Sequence, residues 1–163
     1  MSLRITAVDL ENAAISATWL DLLDHYARDP MGGGVGLSAY ARTHLVDELK
    51  RLPTFHGALA WRGEKAVGLI NCFAGFSTFA ARPLLNIHDI VVHADARRQG
   101  IGQALLQWAE RRARQLGCCK LTLEILSGNT RAMASYARAG YAPYVLDPAA
   151  VHALLMQKIL PEP

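Results

Sequence analysis

Apolar and polar residues alternate in "LRITAVD" (residues 3–9), the period of a half-buried strand. From Ala13 to Ala27 the period lengthens: Ile15, Trp19, Leu22, Leu23 and Tyr26 recur at helical spacing, and "RDPMGGGVG" ends the pattern. A second helical pattern runs from Leu37 to Leu52 and stops at Pro53. "FHGALAWRGEKAVGLINCFAGFSTF" (55–79) predicts two strands joined by a tight turn at "RGEK", because a glycine-containing turn separates two apolar stretches of hairpin length. "LLNIHDIVV" (84–92) predicts a further strand whose start is marked by Pro83.

Ile101, Ala104, Leu105, Trp108, Arg112 and Leu116 define one face of a helix that Gly117 is placed to cap. Arg112 on that face must snorkel or find a partner. "CKLTLEIL" (119–126) alternates as a strand, and "SGNTRAMASYARAG" (127–140) predicts a short helix opened by polar residues and closed by Gly140. "YAPYVL" (141–146) and "VHALLMQKIL" (151–160) complete the chain as expected strands. The order β-α-α-β-β-β-α-β-α-β-β predicts an α+β layered domain, a mixed sheet of about seven strands with about four helices. The passage from strand 84–92 through helix 101–116 to strand 119–126 should be a right-handed parallel crossover.

A chain of 163 residues has the length of one domain, so residues 1–163 are expected to form one unit. With 52% hydrophobic and 19% charged residues it is expected to be globular rather than disordered. No apolar run is long enough to span a bilayer and "MSLRITAVDLEN" lacks a secretory layout, which predicts a cytoplasmic protein without membrane association. Cys72, Cys118 and Cys119 show no C-x-x-C spacing and are expected to be reduced packing residues. The net charge is only +3, with Arg97, Arg98, Arg111, Arg112 and Arg114 close together: a local positive site, too weak for a dedicated nucleic-acid binder.

The candidate chemistry starts at "VVHADARRQGIG" (91–102). A strand followed by a polar loop and a helix start places unpaired N–H groups at the positive end of a helix dipole, a ready anion site. Gly100 and Gly102 would let an anion approach the backbone, and Arg97 and Arg98 supply charge. The spacing is neither that of a P-loop nor that of the dinucleotide fingerprint. By itself the corner remains open between a phosphate-bearing cofactor, a nucleic-acid backbone and a tight turn into a helix.

"IVVHADARRQGIGQALLQWAERRA" resembles the acetyl-coenzyme A segment of the GNAT superfamily of N-acetyltransferases, with its [QR]-x-x-G-x-[GA] signature at Arg97, Gly100 and Gly102. "NTRAMASYARAGY" resembles the later family segment through Asn129, Tyr136, Gly140 and Tyr141. One departure is Ala94, where many members carry a proline. The resemblance implies a single GNAT-like domain, mostly antiparallel, with a splayed parallel strand pair at the cofactor site. It implies that Ile90, Val91 and Val92 pair with pantetheine, that the amides of Arg98, Gln99, Gly100, Ile101 and Gly102 hold the pyrophosphate with the Arg97 side chain, and that Asn129 bonds the pantetheine arm. Tyr136 is then the general acid for the leaving thiolate. The chemistry needs acetyl-coenzyme A and no metal, and the family admits a homodimer.

"NIHDIVV" resembles the x-E-D-x-x-V strand of spermidine/spermine acetyltransferase-like members, which makes His88 the first candidate base and Asp89 the second. Strand alternation places these two on opposite faces. His56, His93 and His152 have no zinc-site spacing. The acceptor wall is expected in "DLLDHYARDPMGGGVG", with Asp21, Asp24 and Asp29 favouring a cationic amine, Tyr26 beside them, and Gly32, Gly33 and Gly34 as a mobile lid. The expected acceptor is the primary amine of a small molecule, an amino acid or polyamine, touched by Tyr26, Asp29 and His88. The alternative is a non-catalytic acyl-coenzyme A sensor or interaction module with the same fold.

Overall fold

Ala58, Leu59, Ala60 and Trp61 are consecutive and all buried, which a strand achieves only when a layer covers each of its faces. The structure, a computed structural model, describes residues 2–145, 147, 149 and 153–160. Among them the order is β1 (Leu3–Ala7), α1 (Ala13–Ala27), α2 (Ala39–Lys50), β2 (Phe55–Arg62), β3 (Lys65–Ser77), β4 (Arg82–Val92), α3 (Ile101–Gln115), β5 (Leu121–Leu123) and α4 (Thr130–Arg138), with short 3₁₀ turns at Pro30–Gly32 and Ala94–Ala96. The strands form one sheet in the order β1-β2-β3-β4-β5, antiparallel except for the parallel β4–β5 pair. This is an α+β domain.

Two apolar layers sandwich the sheet. On one face Ile101, Leu105, Leu106, Ala109 and Ala113 of α3 meet Ala58, Ala60, Ile70, Cys72, Leu85 and Ile87. On the other, Trp19, Leu22 and Leu23 of α1 and Leu49 of α2 meet Leu59, Trp61, Leu69 and Val91. Each fully buried side chain of this size stabilises the fold by roughly 1.5–3 kcal/mol. Gly68 is small because α3 lies close above it: a Cβ there would sit 2.8 Å from the Val91 carbonyl oxygen and 3.2 Å from Ile101. Asn12 caps α1 and Ser38 caps α2, each accepting from first-turn amides.

The expected finishing strands are not part of the sheet. Residues 141–145 and 153–160 carry no strand, while Leu146, Val151 and His152 lie outside the described residues. A strand needs a hydrogen-bonded neighbour as well as an apolar pattern. Leu154, Leu155 and Met156 are 83%, 74% and 87% exposed, so their pattern finds no surface here. β5 is also shorter than the expected 119–126 run. The described sheet therefore has five strands rather than seven. Arg112 does find a partner: its guanidinium donates to His56 Nδ1 at 3.3 and 3.2 Å. Burial first, and Arg112 second, lower the His56 pKa, which suits a neutral acceptor ring. Of the cysteines, Cys72 is buried and Cys118 and Cys119 are partly buried. Burial foremost pushes the Cys72 thiol up to about 12, which leaves it inert.

Candidate active site

At the entrance to α3, Gly100 adopts φ 79° and the preceding Arg98 adopts φ 62°, a conformation that costs a non-glycine residue about 1–2 kcal/mol. The N-terminus of α3 has no side-chain cap. Among the described residues, the amides of Gly100, Ile101 and Gly102 find no acceptor. A Cβ at Gly100 would meet nothing within 4 Å, and one at Gly102 only Val92 at 3.9 Å. Free donors, a dipole end and open space coincide, which suits a phosphate oxygen. Arg97 closes the corner, its Nε donating to the Val92 carbonyl at 3.2 Å and its Nη2 to Asp29 Oδ2 at 3.1 Å.

β4 and β5 pair from Leu85 with Leu121 to Ile87 with Leu123, and then part. Beyond Ile87, β4 continues to Val92 with β3 alone, so its other edge faces a cleft of about 590 Å³. Both strand-split expectations, the parallel pair and the splay, hold. Asn86 marks the fork by donating to the Thr122 hydroxyl of β5 at 3.0 Å.

His88 sits in a β-bulge. Asn71 pairs with Asp89 and the adjacent Cys72 pairs with Ile87, so His88 has no partner on β3. The extra residue shifts the phase of the strand. Ile87 packs under α3 with Ile90 and Val92, whereas His88 lies edge-on to Phe73 at 5.5 Å and Asp89 accepts from Asn71 Nδ2 at 3.0 Å, both on the α1 side. The expectation that His88 and Asp89 face opposite ways is therefore wrong, because alternation does not survive a bulge. Asn71 in turn accepts from the buried Trp19 indole at 2.8 Å, which fixes the amide that holds Asp89.

The cleft gathers most of the expected residues: Tyr26, Asp29, His88, Ile90, Val91, Val92, Arg97, Arg98, Gly100, Ile101, Gly102, Asn129 and Tyr136. Gln99 and Asp89 are not in its wall. The Gln99 side chain turns back to the Asp95 carbonyl at 3.3 Å, and Asp89 is held by Asn71. Asn129 caps α4, its Oδ1 accepting from Ala132 N at 3.2 Å, so its Nδ2 is the group left to donate. Residues not singled out from the sequence also line the cleft, among them Met31, Glu124, Arg131 and Arg138. Glu124 follows Leu123 at the fork, directly beyond the last β4–β5 pair. Its signal in "LTLEIL" is the one charged position of an alternating strand run.

Burial foremost pushes the Tyr136 phenol up to about 12, with a smaller push from Tyr26. Tyr26 is raised in the same way by burial, then by the negative charges of Asp89 and Asp29. Both phenols thus stay protonated at neutral pH and can donate. Of the expected acceptor-side acids only Asp29 reaches the cleft. Asp24 is buried and paired with Arg28 at 2.9 Å and Arg42 at 2.8 Å, while its other oxygen accepts from the Leu37 amide at 2.8 Å. That amide foremost, then the two arginines, lowers the Asp24 pKa against the opposing effect of burial. Asp21 is exposed, 3.5 Å from Arg42. The glycine run is pinned as well: Gly32 N donates to the Asp29 carbonyl at 2.8 Å and Gly34 N to the Ala27 carbonyl at 2.9 Å.

A parallel strand fork beside a helix entrance with free amides is a geometry that relatives can test. A sequence model of the Acetyltransferase (GNAT) family matches residues 19–141. The chain belongs to this GNAT family. Over 89 residues it is 36% identical to an aminoalkylphosphonate N-acetyltransferase of Salmonella typhimurium, covering 55% of this chain and 58% of the relative. Over 87 residues it is 38% identical to a streptothricin acetyltransferase of Streptomyces lavendulae, covering 52% and 46%. The matched stretch thus spans about half the length of these GNAT relatives. A solved structure described as a transcriptional regulator from Bacillus halodurans C-125 shares the fold at TM-score 0.78, with 21% identity over 96% of this chain and 100% of that one.

Proposed function

We propose that this chain is an acetyl-coenzyme A-dependent N-acetyltransferase that modifies the primary amine of a small molecule by direct attack within a ternary complex. The observation that carries the reading is the meeting, in one cleft, of the free amides of α3 and the free edge of β4. Relatives named for acetylating an aminoalkylphosphonate and streptothricin support a small amine as acceptor.

The residues present fit the cofactor: anion donors at Gly100–Gly102, two arginines, and an unpaired strand edge leading toward Tyr136. Bound acetyl-coenzyme A supplies the thioester carbonyl as electrophile and a thiolate as leaving group. The α3 amides with Arg97 and Arg98 hold the diphosphate. The β4 edge offers main-chain partners to the pantetheine amides, and Asn129 Nδ2 adds a donor. Tyr136, kept protonated by burial, would supply the proton that the leaving thiolate needs. His88, exposed in the bulge, would take the ammonium proton of the acceptor, with Asp89, held by Asn71, as the second candidate base.

Calorimetry with acetyl-coenzyme A and thiol release with an amine panel test the reading together. Binding followed by amine-dependent thiol release is expected. Absence of binding at millimolar cofactor would sink it, and binding without release for any amine would favour the non-catalytic sensor.

A further inference from the structure

The cofactor corner and the acceptor loop are joined by one ion pair. Arg97, at the entrance to α3, donates through Nη2 to Asp29 Oδ2 at 3.1 Å, across 68 residues of sequence, and both side chains line the same cleft. Arg97 is the guanidinium placed to meet a diphosphate. Asp29 is the carboxylate placed to meet a cationic amine. In this arrangement each neutralises the other.

We infer that the Arg97–Asp29 pair masks the acceptor site, and that diphosphate binding at Arg97 releases Asp29 to pair with the ammonium group of the incoming amine. This rests on the acetyl-coenzyme A reading above. The pair is breakable: the Arg97 and Asp29 side chains are 42% and 29% exposed, and an ion pair so open to water is weaker than charge-assisted bonds to a diphosphate. Arg97 is the more readily moved member, held besides the pair only by its Nε bond to the Val92 carbonyl at 3.2 Å, whereas Asp29 is fixed by several bonds. Its Oδ1 accepts from Met31 N at 2.9 Å, and its carbonyl accepts from Gly32 N at 2.8 Å and Gly34 N at 3.1 Å. Next to it, His25 at the end of α1 stacks on His93 after β4, ring centroids 4.7 Å apart, and keeps the two elements together when the guanidinium swings away. A cationic acceptor arriving first must compete with Arg97 for Asp29. Cofactor and acceptor therefore strengthen each other's binding by the same factor, as linkage requires.

Asp29→Asn tests the mask, since the amide oxygen can still cap Met31 while the negative charge is lost. In calorimetry, coenzyme A should bind the variant about two- to fivefold more tightly than the parent, because its internal competitor is gone. At saturating acetyl-coenzyme A, the KM for a cationic acceptor should rise about tenfold. Asp29→Ser, another capping side chain, should move both values in the same directions. A purely structural role would weaken cofactor binding or leave it unchanged. Equal or weaker coenzyme A binding by both variants, with normal binding by the parent, overturns the mask and leaves the cofactor reading standing. Failure of the parent to bind coenzyme A overturns both.

Discussion

Two glycine-rich corners border the cleft, "RRQGIG" before α3 and "DPMGGGVG" after α1, and they use glycine for opposite purposes. In the first, backbone donors are left free and a side chain at Gly100 or Gly102 would enter open space. In the second, Met31, Gly32 and Gly34 donate to Asp29 and Ala27 of their own loop, and a Cβ at Gly32 would lie 2.1 Å from the Tyr26 carbonyl oxygen. The first corner leaves open space beside its free amides. At Gly32 the second is small to admit its own chain. Glycine in a loop marks a close approach, and only the fate of the neighbouring N–H groups tells which partner approaches.

The largest expected effect is at Tyr136, which lines the same cleft. Tyr136→Phe should lower amine-dependent thiol release by about 10²–10⁴-fold while calorimetry finds cofactor affinity nearly unchanged; unchanged turnover would remove Tyr136 from the acid role. The glycines then separate the two corners by sign. Gly32→Ala should lower stability by about 1–3 kcal/mol in a denaturant titration, because the Tyr26 backbone must shift. Gly102→Ala, in an ordinary helical conformation, should raise stability by roughly 0.5 kcal/mol and yet weaken coenzyme A binding. If both alanines acted alike on stability and on binding, the contrast between the corners would be lost.

The smallest effect should appear at high pH. Burial foremost raises both Tyr136 and Tyr141 to about 12, above the value near 10 of an unfolded tyrosine. Between roughly pH 10 and 12 the unfolded chain gives up these protons more readily than the folded one, so their stabilising contribution is complete below pH 10 and lost as pH rises. The melting temperature should fall across that window, and less steeply in Tyr136→Phe.

The sequence was most legible where one periodicity runs unbroken. The helical pattern of 13–27 became α1 with the same bounds, and Ile101 and Leu105 of the expected α3 face, with Trp108 and Leu116 at its edge, became the contact with the sheet, which also takes in Leu106, Ala109 and Ala113. The corner with unpartnered amides before α3 was legible because its donors are local to a strand-loop-helix passage. Three features were not. The apolar residues of "YAPYVL" and "VHALLMQKIL" express a side-chain preference but say nothing of a pairing edge. The acids of the acceptor loop looked alike in sequence, yet Arg28 and Arg42 claim Asp24 while Asp29 faces the cleft, a sorting decided by tertiary contacts. The bulge did leave a trace: Ile87 and Ile90 are both apolar and three apart, an odd interval that a regular strand cannot keep on one face.

That bulge makes the length of β4 as consequential as its composition. β4 is in effect two strands spliced out of phase at His88, the first half in step with Leu85 and Ile87 and the second with Ile90 and Val92. Deleting His88 would remove the extra residue and leave a regular strand in which Ile87, Ile90 and Val92 still face α3 and Asp89 and Val91 still face α1. The extra residue is thus what adds a side chain to the cleft without disturbing its neighbours: a single-codon deletion would straighten the strand and take only the histidine out of the wall.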